Sequence, residues 1–169
     1  MPFEIRLEYT IHADKEFIFD WWTDLSPDDT RLAKPLESRK IISRSPTDIV
    51  LEDEEVIFGR KMAYNVRVTL NKPLFSWVAE YDGKDAKARS EYRLVSEGPN
   101  GNTTRLLYHS TVLTKGFLTN LFSPIVRYFV KRVFRREIEE FSMAIEKEYG
   151  TNRHSNCQNT TRERRSTSF

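Results

Sequence analysis

Cysteine is almost absent from this chain, because Cys157 is the only one among 169 residues. One cysteine can form no internal disulfide and no cysteine-based zinc cage, and this usage is typical of a reducing compartment. Apolar runs are short as well, and none approaches the ~18 residues of a membrane-spanning helix. The first residues have neither the basic nor the apolar segment of a secretory signal. We therefore expect a cytoplasmic protein that is neither secreted nor membrane-spanning.

Neither sign of charge dominates the sequence. Lys and Arg number 27 against 25 Asp and Glu, which gives a formal net charge of +2. That balance provides no chain-wide attraction to nucleic acid, so we expect no nucleic-acid partner.

Motifs for metals, nucleophiles and nucleotides are also missing. The three histidines, His12, His109 and His154, lie far apart, and no His-x-x-x-His or Cys-x-x-Cys spacing occurs. The chain has no Gly-x-Ser-x-Gly elbow and no Gly-x-Gly-x-x-Gly loop. We predict no metal, no cofactor and no catalytic residue recognisable from a motif.

The composition changes after Gly150. Residues 151–169 are rich in Asn, Thr, Ser and Arg, with four arginines against one glutamate and almost nothing apolar. Such a segment buries too little surface to offset the entropy of ordering. We predict one folded domain over residues 1–150, followed by a disordered basic tail over 151–169.

The first part of the chain predicts a strand and a short helix. Apolar and polar side chains alternate over residues 3–11, the period of a strand with one buried face. Asp14 then offers a helix N-cap, and apolar residues recur at helical spacing over 17–25. Further strands are predicted at about 38–45 and 47–57, around the turn-forming Ser45-Pro46.

Three more strands follow as a meander of hairpins. Their period-two alternation assigns to the buried face Met62, Tyr64, Val66, Val68, Leu70, Phe75, Trp77, Ala79, Tyr81, Ala86, Ala88, Ser90, Tyr92 and Leu94. A last hairpin turns at residues 99–102, and two registers remain open for it. An even-length loop turns Leu107, His109, Thr111 and Leu113 inward, whereas an odd-length loop turns Leu106, Tyr108, Ser110 and Val112 inward.

A long helix is predicted to begin at Ser123-Pro124 and to end at Gly150, about 25 residues later. One stripe of it is apolar and a separate arc is basic. The whole order of elements predicts an α+β fold, in which a curved antiparallel sheet of six to seven strands wraps around this helix.

Small side chains occupy the middle of the predicted concave face, at Ala79, Ala86, Ala88 and Ser90. Aromatic side chains surround them, which favours a cavity for a small apolar ligand. The alternative is a solid core filled by helix side chains such as Phe129 or Phe141. The candidate ligand-binding residues are Trp21, Tyr64, Val66, Trp77, Tyr81, Ala88, Ser90, Tyr92, His109 and Phe129. Ser90 and His109 are the predicted polar groups that orient the ligand.

Two local segments resemble the START-like (SRPBCC) helix-grip superfamily, which includes birch-pollen-type allergens and polyketide cyclase/dehydrase-like proteins. They are Tyr9-Thr10-Ile11-His12-Ala13-Asp14-Lys15-Glu16-Phe17-Ile18-Phe19-Asp20 and Leu113-Thr114-Lys115-Gly116. The resemblance covers about residues 3–149 and implies the helix-grip fold with a lipophilic pocket. It carries over no catalytic residue.

Three functions follow as hypotheses. The first is binding or transport of a small hydrophobic molecule, such as a lipid, polyketide or isoprenoid, without turnover. The second is a cyclase or dehydratase that uses His109 and a tyrosine. The third is a protein-interaction module with a solid interior. A transient membrane-surface contact through residues 117–136 is a further expectation, because aromatic and basic side chains occur there together.

Overall fold

The computed structural model describes residues 2–32, 36–57, 59–98, 101–114 and 123–166, and in the last helix it describes side chains only for Pro124, Tyr128 and residues 130–151. The elements in chain order are β1 (Pro2–Ile11), α1 (Lys15–Thr23), a 3-10 turn (Pro27–Arg31), β2 (Leu36–Arg44), β3 (Asp48–Ile57), β4 (Arg60–Asn71), a second 3-10 turn (Lys72–Leu74), β5 (Ser76–Gly83), β6 (Ala86–Glu97), β7 (Thr103–Thr114) and α2 (Ser123–Ser166).

The strands form one antiparallel sheet in the order β1-β7-β6-β5-β4-β3-β2. Strand β1 pairs with β7 over its whole length, so the chain closes back on its last hairpin. The sheet curves around α2, whose Ile138, Phe141 and Ile145 are buried against the concave face. The predicted α+β class and the short helix after the first strand are confirmed.

Two side-chain hydrogen bonds fix the turn between β1 and α1. The Asp14 side chain accepts a hydrogen bond from the Phe17 amide at 2.7 Å, which caps α1 as predicted. Thr104 of β7 donates its hydroxyl to the Ala13 carbonyl at 2.8 Å, which fixes the same turn to the sheet. Helix α1 then buries Ile18, Phe19 and Trp22 over the concave face.

The register of the last hairpin is now settled. Glu97 pairs with Thr103, so five residues connect β6 and β7, and the loop has odd length. Leu106, Tyr108, Ser110 and Val112 consequently face inward and are buried. The alternative that turned the His109 side chain inward is wrong, because period-two alternation places it on the outer face.

Helix α2 does not end where the sequence suggested. Gly150 was expected to stop it, but helical backbone continues to Ser166. A glycine ends a helix when it adopts the left-handed conformation, and Gly150 does not have a positive φ. The separate expectation of a disordered tail over 151–169 stays a prediction, since the described side chains of α2 end at Thr151.

Gly83 makes room for the ring of Tyr64. The two residues are paired across β4 and β5, and both face inward. A Cβ atom on Gly83 would lie 2.7 Å from Cδ1 and 2.7 Å from Cε1 of Tyr64. The φ of Gly83 lies outside the left-handed range, so the requirement for glycine is steric.

We predict that Gly83→Ala destabilises the protein by about 1–3 kcal/mol, the usual cost of overpacking. The same substitution in a Tyr64→Ala background should cost much less, because the ring is then absent. Gly150→Ala is the matched control, since a Cβ there meets nothing and the helical position should be neutral or slightly stabilised. Urea unfolding measures the free energy of unfolding of Gly83→Ala, Tyr64→Ala, the double variant and Gly150→Ala. Equal costs of Gly83→Ala in both backgrounds would contradict the steric explanation.

Candidate functional site

A cavity of about 40 Å³ lies between the sheet, α1 and α2. Its lining is mainly aromatic and aliphatic, with three charged side chains, and comprises Trp21, Trp22, Leu25, Asp29, Arg39, Leu51, Val66, Val68, Trp77, Ala79, Tyr81, Tyr92, Glu137 and Phe141. Since one water occupies about 10–15 Å³ of such space, the cavity has room for roughly three waters. The interior is therefore neither solid nor widely open.

The aromatic wall is built by packing between α1, α2 and the sheet. Trp77 and Tyr92, paired across β5 and β6, stack at 4.8 Å between ring centroids and 7° between planes. Trp22 packs on both rings at 5.8 and 6.0 Å, and Phe141 packs on Trp22 at 5.3 Å. Trp22 and Phe141 thus extend the aromatic wall from the sheet to α1 and α2.

Arg39 and Asp29 add charged side chains to the lining, and Asp53 pairs with Arg39. Arg39 of β2 donates Nε and Nη2 to the two carboxylate oxygens of Asp53, both at 2.9 Å. Its Nη1 donates to Asp29 in the 3-10 turn at 2.7 Å. Asp53 is 2% exposed, and it faces inward because it shares the parity of the buried Ile49 and Leu51 on β3. This ion-paired group crosses three chain segments.

Two further carboxyl groups lie near this ion-paired group without partners of their own. Within the described part of the chain, no hydrogen bond or ion pair reaches Glu55 of β3 or Glu137 of α2. Burial raises the pKa of Glu137 to about 7, although Arg39 opposes the rise. Burial, reinforced by Glu137 and Asp53, raises the pKa of Glu55 to about 8. Burial likewise raises the pKa of Asp29 to about 6, against the pull of Arg39.

Hydroxyl groups line the middle of the concave face. Ser90 donates to Ser110 at 3.0 Å and lies 3.2 Å from the Tyr108 hydroxyl. Burial raises the pKa of Tyr81 well above its usual value, and Glu137 and Glu55 raise it further. These hydroxyls therefore stay protonated and available as hydrogen-bond donors at neutral pH.

Several solved structures of other proteins have a similar architecture. A Thermus thermophilus protein has a TM-score of 0.75 at 17% identity, with 84% of this chain and 96% of that chain covered. The Zhui aromatase/cyclase of a Streptomyces species has a TM-score of 0.75 at 11% identity, over 86% and 94%. A START superfamily protein from Mycobacterium smegmatis has a TM-score of 0.63 at 16% identity, over 88% and 97%.

The chain has the START-like helix-grip fold. The resemblance seen in the two local segments is thereby confirmed at the level of structure. No protein-family model and no curated protein matches the sequence. At these identities the neighbours show the fold alone, so the functional argument depends on this chain's own residues.

Half of the predicted ligand-binding residues line the cavity between the sheet, α1 and α2, which we call the helix-grip cavity. They are Trp21, Val66, Trp77, Tyr81 and Tyr92. Tyr64, Ala88 and Ser90 also face inward, but they lie outside its lining. The side chain of Phe129 lies outside the described residues.

His109 is the clear error among the predicted site residues. Its Nε2 lies 3.6 Å from Glu4 and its Nδ1 lies 3.9 Å from Glu91, both on the outer face of the sheet. The five-residue loop between β6 and β7 causes this placement. His109 therefore neither orients a ligand in the helix-grip cavity nor moves a proton there.

Trp21 connects α1 to α2. Its Nε1 donates to Glu148 at 2.8 Å, and its ring packs edge-on against Phe141 at 5.8 Å. The nearby His12 amide donates to Glu146 at 2.8 Å. Together these contacts hold residues 146–148 of α2 over the strand-to-helix turn.

Sequence reasoning missed the charged wall of the helix-grip cavity. The signal was present in β3, where Asp53 and Glu55 continue the parity of Ile49 and Leu51. Glu137 gives the same signal on α2, because it lies three residues after Phe134 and four before Phe141 in the apolar stripe. Charged residues at buried positions mark a site more specifically than the aromatic residues do.

Two negative observations apply to the described residues. No three His, Cys, Asp or Glu side chains among them are grouped as metal ligands. No helix among them is long and apolar enough to cross a membrane. The predicted membrane-surface contact over 117–136 stays a prediction, since residues 117–122 lie outside the described part and Arg136 is paired with Glu140 at 2.9 Å.

We predict that Arg39→Met lowers the free energy of unfolding by about 3–5 kcal/mol, because it leaves Asp53 buried without a partner. Arg39→Met combined with Asp53→Leu should recover most of that loss. Lys40→Met is the matched control, because Lys40 is exposed and its contact with Glu52 is 3.8 Å, a pair worth at most about 1 kcal/mol. A cost of Arg39→Met no larger than that of Lys40→Met would rule out the ion pair as a structural support.

We also predict that stability decreases between pH 5 and pH 8. Glu137, Glu55 and Asp29 keep protons in the folded protein at pH values where the unfolded chain has released them, because their pKa values are raised on folding. The folded state then binds more protons, so the free energy of unfolding falls as pH rises.

Glu137→Gln removes one of these groups and should flatten the decrease, which urea unfolding at several pH values measures. Glu52→Gln removes the same charge from the outer face of β3 and should leave the decrease unchanged. If the Glu137→Gln and wild-type curves have the same slope, Glu137 does not have a raised pKa.

Proposed function

We propose that this protein binds a small, mainly apolar molecule in the cavity between its sheet and α2. The observation that carries the proposal is a small aromatic cavity lined by Glu137, whose carboxyl group has no ion pair or hydrogen bond among the described residues. A ligand site needs a few polar groups that fix orientation beside an apolar surface that supplies affinity. A partly buried carboxyl group without a partner reduces stability, so the presence of Glu137 at this cavity favours a role other than folding.

The size of the cavity limits how a ligand enters. Sites for drug-sized ligands have volumes of about 300–1,000 Å³, whereas this cavity has about 40 Å³. A molecule of more than a few heavy atoms must therefore displace side chains. Leu25 lines the cavity with a φ of 47°, a left-handed conformation that costs a leucine about 1–2 kcal/mol. We infer that residues 24–32, which include Leu25 and Asp29, move when a ligand enters, because that movement releases the strain at Leu25.

Acid–base catalysis is a second candidate function, and one observation favours it. Glu137 faces the cavity, and its pKa of about 7 is suited to a general base or acid near neutral pH. Glu137 thus takes the role that the sequence hypothesis of a cyclase or dehydratase gave to His109. Turnover of a bound ligand that is lost in Glu137→Gln would establish this function.

The proposal is tested by binding of an environment-sensitive apolar dye and by native mass spectrometry of gently purified protein. We predict that wild type binds the dye and carries a small molecule. Ala79→Leu should weaken dye binding about tenfold or more, because its side chain fills the space that Ala79 leaves in the lining. Ala88→Leu is the matched control, since Ala88 faces inward but does not line the cavity.

Circular dichroism checks that each variant folds. If Ala79→Leu does not fold, Val66→Met replaces it in the binding assay, because Val66 also lines the cavity. Equal dye binding in wild type and in the folded cavity variants would show that the dye binds elsewhere. A wild type that binds no dye and carries no small molecule would favour the ligand-free interaction module instead.

A further inference from the structure

The charges that line the cavity do not balance. Arg39 is the one cation among the described lining residues, and Asp53 already engages two of its nitrogens. Asp29 shares that same cation, and Glu137 has none. Glu55 lies close enough behind the lining for its charge and that of Glu137 to repel. The wall therefore offers more negative than positive groups to a molecule in the cavity.

Glu137 is the carboxyl group most available to a ligand. It comes from α2, opposite the sheet, and it lies among the cavity-lining residues. The charged and titratable groups that face it are Arg39, Asp29, Asp53, Glu55, Glu140, Tyr81, Tyr92 and Tyr108. All the carboxyl groups in that set disfavour its ionised form, and Arg39 alone favours it. A second positive charge beside Glu137 would remove this imbalance.

The rest of the lining also suits a cation. The rings of Trp21, Trp22, Trp77, Tyr81 and Tyr92 surround the same cavity. Aromatic faces attract cations by about 0.5–2 kcal/mol each, most strongly when water is excluded. An anionic ligand would meet the carboxyl groups as like charges. A neutral ligand can hydrogen-bond to Glu137, but it brings no positive charge to balance the carboxyl groups.

We infer that the ligand is a hydrophobic amine, whose ammonium group lies between the Glu137 and Asp29 carboxylates while its apolar part contacts the aromatic wall. The inference deepens the proposed function and rests on it. The ammonium donates hydrogen bonds to the carboxylates, and Tyr81 and Tyr92 provide the adjacent ring faces. The existing space of about 40 Å³ is enough for the ammonium end of such a molecule.

Binding of an ammonium ion must displace the proton that Glu137 holds below neutral pH. The proton goes to solvent, and a carboxylate–ammonium pair replaces the protonated carboxyl group. The affinity for a charged amine should therefore rise between pH 6 and pH 8. Over that range the probe amines stay charged, since alkyl ammonium groups titrate near the lysine value of about 10.4.

Matched probes test the inference by calorimetry and by the chemical shifts of the Trp21 and Trp77 indole groups. The probes are propylamine and 2-phenylethylamine, each compared with its alcohol, 1-propanol or 2-phenylethanol. We expect each amine to bind at least about tenfold more tightly than its alcohol at pH 8. Proton release should appear as a heat that depends on the ionisation enthalpy of the buffer.

Glu137→Gln should weaken amine binding about tenfold or more and remove the proton release, and it should weaken alcohol binding much less than amine binding. Glu52→Gln, which removes the same charge from the outer face, should bind all four probes as wild type does. If each amine binds no better than its alcohol while both shift the indole signals, the apolar cavity is real but the amine inference is wrong. If no probe shifts those signals, the inference and the proposed function both fail.

Discussion

Arg39 brings a positive charge to the concave face of the sheet, where Asp53 accepts hydrogen bonds from its Nε and Nη2 and Asp29 accepts one from its Nη1. The pair lies at the edge of the sheet formed by β2 and β3, and it holds the 3-10 turn after α1 against that edge. Removing either charge leaves the other buried and unpaired, which is far more costly than losing a surface ion pair. The position of the 3-10 turn and the polarity of the cavity both depend on this group of three side chains.

The aromatic wall and the charged wall have opposite effects on the protein. Stacking of Trp22, Trp77 and Tyr92 supplies apolar burial that stabilises the fold. Glu55 and Glu137 oppose it, because their side chains are partly buried and make no hydrogen bond among the described residues. A purely structural interior would replace them with apolar residues of similar size. Their presence beside a cavity is the physical reason to regard this region as a binding site.

The fold could be predicted from sequence where one physical signal dominated. Period-two alternation in β4, β5 and β6 assigns each side chain to a face without ambiguity, and Asp14 and Phe17 define the start of α1. The last hairpin differs, since its turn residues fit loops of either parity and one residue more reverses every side chain of β7. Gly150 shows a similar limit, because a glycine is a helix stop only if tertiary structure gives it a left-handed conformation. The charged wall was missed because the acidic residues of β3 resemble a solvated strand, and only the parity of Asp53 with Leu51 distinguishes the two.

The central claim is that carboxyl groups of this fold lie inside, on the wall of the cavity, and the titration of Glu137 tests it most directly. Carbon-13 NMR of the side-chain carboxyl groups, with Glu137→Gln used to assign the signal, measures its midpoint. The account predicts a midpoint near pH 7, the value to which burial raises its pKa. A midpoint near 4.5, the ordinary value for a solvated glutamate, would show that Glu137 is in water and would contradict the account.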